Sequence, residues 1–103
     1  MVKIVFSPLA KFDLKEIIDF IKRDSLRYAI LESKKIQAAI NGLMKHPLMG
    51  RVVPEIENSQ YRELIFRNYR IIYRIVSEEQ INIITIHHHA RNLTNNPAFK
   101  SED

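Results

Sequence analysis

The segment YRELIFRNYRIIYRI, Tyr61 to Ile75, places Arg62, Arg67, Arg70 and Arg74 among apolar and aromatic residues. Arginine is permanently charged, and its rigid planar fork matches a phosphate or a carboxylate. If the segment is a pair of strands, side chains alternate between faces. Tyr69, Ile71, Tyr73 and Ile75 then share one face, and Arg70, Ile72 and Arg74 the other. The first face suits burial, and the second would be an arginine-bearing surface able to hold an anionic partner. The plainer alternative is that these arginines solvate an exposed face or pair with Glu63 across strands. A second cluster, His87-His88-His89, invites a metal, because His87 and His89 would share a strand face. Two ligands do not make a site, and with no cysteine and no nearby carboxylate cluster neither metal nor cofactor is expected.

These side chains need elements to position them. VKIVF, Val2 to Phe6, is β-branched and aromatic-rich, and it stops at Ser7-Pro8, a helix cap followed by a residue favoured at the first helical position. Ala10, Leu14, Ile17 and Ile21 recur at helical spacing, with Lys11, Lys15, Asp19 and Lys22 on other faces. Asp24-Ser25 breaks that pattern and can cap a second helix through Ile36, Ala39, Ile40 and Leu43, ending by His46 because Pro47 cannot continue it. So short a link predicts an antiparallel helix hairpin. Pro47, Gly50 and Pro54 punctuate the loop that follows, which has room for one short strand at Arg51 to Val53. Strands are expected at Tyr61–Phe66, Tyr69–Val76 and Ile81–His88, joined by connections short enough to make them antiparallel neighbours. The fold class is therefore α+β: an N-terminal strand, a helix hairpin and a mainly antiparallel β-meander. One domain over residues 1–93 precedes a polar tail, 94–103, in which Pro97 to Phe99 could dock.

The chain has 103 residues, 46% of them hydrophobic and 27% charged, enough for one core and too apolar for disorder. It lacks cysteine, its apolar runs are too short to span a bilayer, and Met1 to Ser7 has no signal-peptide core. A cytoplasmic protein with no membrane role is expected. The net charge of +4 favours an anionic partner, and its distribution is informative. Residues 1–50 carry seven lysines and two arginines, whereas residues 51–103 carry one lysine and six arginines. Flexible, hydrated lysines suit helix surfaces, and arginines suit specified geometry. The second helix does not gather Asn, Gln and Arg at its start as a base-reading helix would, which counts against a simple DNA-binding module.

The order strand, two helices, strand meander, together with PLMGRVVPE, YREL, NYRIIYRI and HHHARNL, resembles the RelE/ParE superfamily of toxins from type II toxin-antitoxin modules. The resemblance spans about residues 3–93. Gly50 to Glu55 and His88 to Leu93 look closer to the ParE branch. It implies a growth-arresting toxin neutralised by a cognate antitoxin in a hetero-oligomer. ParE-like members poison DNA gyrase by binding, whereas RelE-like members are mRNA interferases that cut message on translating ribosomes. Cleavage through the 2′-hydroxyl needs a base, an acid and cations near phosphorus. By position the resemblance gives Arg62, Arg70 and His88 as catalytic residues if the chain is a nuclease, with Glu55 a loop carboxylate that one relative class uses as a base. Leu64 stands where a nuclease would carry a second lysine, and no tyrosine follows Tyr73. Gyrase poisoning is therefore the preferred reading, with Arg51, Arg70, Arg74, His87 and Arg91 as residues for target or antitoxin.

The hairpin register decides which histidine joins Arg70. An even-numbered turn after Val76 pairs Val76 with Ile81, brings His87 beside Arg70 as the exposed histidine and turns His88 towards the helices, and an odd-numbered turn swaps them; the alternation of Ile84 and Ile86 against Thr85 favours the even register. Placed on an open face, Arg70 should be a fixed cation whose replacement by Ala shifts stability by no more than about 0.5 kcal/mol. Ile71→Ala should instead cost roughly 2 to 5 kcal/mol through a cavity.

Overall fold

A computed structural model describes residues 2–88, 93 and 96–99. Strand β1, Lys3–Phe6, leads into helix α1, Pro8–Lys22, and helix α2, Leu26–Asn41, which continues as a 3-10 turn over Gly42–Met44. Strands β2, Arg51–Val52, β3, Tyr61–Phe66, β4, Tyr69–Ser77, and β5, Gln80–His88, follow, with a last 3-10 turn at Pro97–Phe99. The five strands form one sheet in the order β1-β5-β4-β3-β2. All neighbours are antiparallel except β1 and β5, so the first strand lies beside the last. Among the described residues no helix is long and apolar enough to cross a membrane.

The residues expected to start the helices do so. The Ser7 hydroxyl accepts from the Ala10 N–H at 3.0 Å and donates to the Ile84 carbonyl at 2.7 Å, so one cap both opens α1 and ties it to β5. Ser25 accepts from the Tyr28 N–H at 3.1 Å to open α2. Ala10 and Ile17 of α1 and Ile36 and Ile40 of α2 meet Ile71, Tyr73, Ile81, Ile83 and Ile86 of the sheet in the main core. Helix packing leaves the other sheet face, and that face is not open. Val53, Ile72 and Leu93 form a second small core there, with Ile56, Tyr61 and Phe99 packed against it.

The β4–β5 turn is even, as expected, but the ladder holds two irregularities. Ile75 pairs with Ile81 and Ser77 with Gln80, leaving Val76 as an extra residue; Tyr73 pairs with Ile83 and Ile72 with Thr85, leaving Ile84 extra on the other strand. One bulge on each strand cancels the other, so Arg70 still faces His87 and Tyr69 faces His88. The bulge at Ile84 also explains why Ile81, Ile83 and Ile86 all reach the main core, which strict alternation forbids.

Candidate functional site

Arg70 lies on β4 with its side chain directed away from the helices, as alternation requires, but it is only 6% exposed. The expectation of a free cation on an open face is corrected. Its Nε donates to Glu63 Oε1 at 2.5 Å, and its two terminal nitrogens donate to the two carboxylate oxygens of Glu55, each at 2.8 Å. Glu63, 1% exposed, accepts on its other oxygen from Arg51 Nε at 2.6 Å. The result is an alternating row, Arg51, Glu63, Arg70, Glu55, whose formal charges cancel. Glu63 needs both arginines, since a carboxylate removed from water is stable only when paired and hydrogen-bonded. The Arg70 fork holds the Glu55 carboxyl well below its usual range, at about 2, against the opposing effect of burial. Glu55 and Glu63 in turn push Arg70 further up.

The other expected residues disperse around this row. His87 faces Arg70 in the register but is buried, its Nδ1 2.9 Å from the Asn96 amide, which also donates to the Thr85 hydroxyl. The expected exposure of His87 is thus corrected. The cause is the segment containing Asn96, which lies over this face. Arg74 is on the same sheet face, exposed, with its guanidinium 5.8 Å from the Tyr61 ring. Arg62 belongs to the opposite side: it is the register partner of Tyr73, and it donates to the Gly50 and Ser59 carbonyls at 3.0 and 3.3 Å. His88 is half-buried towards α1, edge-on to Tyr69 at 5.6 Å between ring centroids. Arg62 faces Tyr73 and His88 faces Tyr69, four residues apart on β4, so the two are separated by roughly 13 Å along the strands as well as by the intervening strand. The three residues named for a nuclease are therefore not gathered about one point. Arg91 and His89 lie outside the described residues. Among the described residues no three histidine, aspartate or glutamate side chains come together to hold a metal ion.

Several contributors had no distinct signal in the sequence. Gly50 is needed for close approach: its N–H donates to the Tyr73 hydroxyl at 2.9 Å, that hydroxyl donates to the Pro47 carbonyl at 2.8 Å, and a Cβ on Gly50 would stand 2.5 Å from the Glu63 carbonyl oxygen. Tyr73 thereby anchors the segment that leads into β2, where Arg51 stands, and on towards Glu55. Asp13 of α1 accepts from the Ile86 N–H at 3.0 Å and from the Thr85 hydroxyl, closing the part of β5 that β1 does not reach. Between α1 and the sheet runs a groove of about 450 Å³ lined by Phe12, Glu16, Phe20, Tyr69, Ile86 and His88 among others.

A helix hairpin on one face of a five-stranded sheet, with a charged row under the loop between β2 and β3, defines a small α+β domain. Residues 4–93 match the family model described as the ParE toxin of type II toxin-antitoxin system, parDE, and the chain belongs to that family. Among solved structures, a chain of the chromosomal ParDE toxin-antitoxin system from P. aeruginosa is similar in fold, with a TM-score of 0.69 at 20% identity over 85% of this chain and 96% of that one. No curated protein matches the chain significantly in sequence.

Proposed function

We propose that the chain arrests bacterial growth in the cytoplasm by binding and poisoning DNA gyrase, and that a cognate antitoxin neutralises it. The observation that carries this reading over messenger-RNA cleavage is the neutralisation of Arg70. Transition-state stabilisation at phosphorus needs cations free to meet charge as it develops. Here Arg70 is hydrogen-bonded to two carboxylates, while Arg62 and His88 occupy the opposite face. A binder needs no such assembly of acid, base and cation. The antitoxin reading is supported by the groove along α1, where Phe12, Phe20 and Tyr69 stand beside Asp13, Glu16 and His88 in a mixed lining that suits an amphipathic helix, and by short edge strands beside which an extended segment can lie.

The test is direct. Purified protein added to gyrase should inhibit supercoiling or trap cleaved DNA, while translating ribosomes keep their message intact. Codon-positioned cuts with gyrase unaffected would reverse the assignment. Induced expression should stop growth, and co-expression of the small protein encoded beside the gene should restore it.

A further inference from the structure

The Arg70 fork has two unlike ends. Nε is fixed to Glu63, which is fully buried and also held by Arg51. The terminal nitrogens face Glu55, whose side chain is 38% exposed and belongs to the loop between β2 and β3 rather than to the sheet. That loop is attached through Val53 and Ile56, and turns at Glu57 with a left-handed φ of 54°. Behind the loop, therefore, is a preformed receptor for a planar two-oxygen anion. If Glu55 leaves, Arg51, Glu63 and Arg70 retain one net positive charge, which a single negative charge balances. Arg51, largely exposed, borders the same place and can meet the incoming group.

We infer that Glu55 is a resident plug in a carboxylate-binding site formed by Arg70 and Arg51, and that an acidic protein segment takes this site by exchanging one of its own side-chain carboxylates for Glu55. Glu63 fixes the receptor, so exchange requires the half-exposed Glu55 side chain to turn out to water and leaves the sheet intact. The commitment to a carboxylate follows from the occupant: both oxygens of Glu55 lie at 2.8 Å, one on each terminal nitrogen. The inference takes from the proposed function only that the partner is a protein. Its test uses purified full-length chain and small probes, so it can fail while growth arrest and gyrase poisoning stand.

Two variants open the site. Glu55→Ala removes the plug, and Glu55→Gln keeps the loop's packing while removing the charge. Acetate, compared with chloride at equal ionic strength, should raise the thermal midpoint of Glu55→Ala in a concentration-dependent way and leave the wild type unchanged. Hexaglutamate should bind Glu55→Ala about ten-fold more tightly than it binds wild type, the return of one charge-assisted contact, with Glu55→Gln gaining in the same direction. A hexathymidylate control should gain less than the peptide. Equal effects of acetate and chloride, or unchanged hexaglutamate affinity in both variants, would overturn the site. A gain confined to the oligonucleotide would overturn its assignment to carboxylates.

Discussion

Arg70→Ala is the most informative single perturbation, because its cost separates a surface arginine from a structural one. In the native fold the substitution would remove one 2.5 Å bond from Glu63 and both 2.8 Å bonds from Glu55. Glu55 can turn to water. Glu63 cannot, and it would keep only Arg51, a partner whose own side chain is 60% exposed. Truncating one member of a buried pair costs about 3 to 5 kcal/mol, chiefly through the charge left behind. Against the roughly 5 to 15 kcal/mol of a typical domain this is a large loss. Urea unfolding at neutral pH should place the variant in that range, comparable with Ile71→Ala, whose deleted side chain is fully buried. Removing both charges with Glu63→Gln and Arg70→Met together should cost less than the sum of the two single changes. Strict additivity, or a loss within about 0.5 kcal/mol for Arg70→Ala, would show that the row is not a coupled buried unit. Toxicity of Arg70 variants must accordingly be read against their folded fraction.

Gly50→Ala should destabilise by at least about 1 to 3 kcal/mol, because the added Cβ meets backbone at 2.5 Å and the Tyr73 ring and hydroxyl just beyond; unfolding midpoints check it. Tyr73→Phe should cost about 1 to 3 kcal/mol by stranding the Gly50 N–H and the Pro47 carbonyl, and proteolysis of the loop near Gly50 should accelerate. The carboxyl of Glu55 is lowered from 4.5 to about 2, so its contribution is fully present above pH 4.5 and is lost as the pH falls towards 2. Discounted for solvent screening of a partly exposed group, that contribution is about 1 kcal/mol. The stability difference between wild type and Glu55→Gln, measured from pH 6 down to pH 2.5, should shrink in that window; a constant difference would refute the ion pair. Asp13→Ala should cost about 1 to 3 kcal/mol by leaving the Ile86 N–H without its acceptor, and hydrogen exchange at Ile86 should rise.

Local signals were legible where one rule governs one element. Ser7-Pro8 and Ser25 start helices because capping is a short-range interaction, and β3 occupies the expected residues because its alternation is uninterrupted. The parallel pairing of β1 with β5 was not legible, since it joins residues about eighty positions apart and no turn specifies it. The two bulges escaped for a related reason: Val76 and Ile84 are ordinary strand residues, and only their mutual cancellation preserves the register of Arg70 with His87. Register alone therefore put His87 opposite Arg70 while leaving the exposure of both side chains wrong.

That error has a physical source which bears on the whole site. Alternation assigns a side chain to a face, but exposure depends on what covers the face, here the Val53–Ile56 stretch and the segment containing Asn96 and Phe99. Once covered, an arginine must be matched or it cannot remain charged at tolerable cost. Glu63 on the neighbouring strand and Glu55 five residues beyond Gly50 provide the match, so Arg70 belongs to an ion-pair row while Arg74, on the same face, stays exposed. The solvent-facing part of the motif is then the outward end of the fork, where Glu55 remains in contact with water. Stability resides in the Glu63 side of Arg70, and any recognition by it must begin on the Glu55 side.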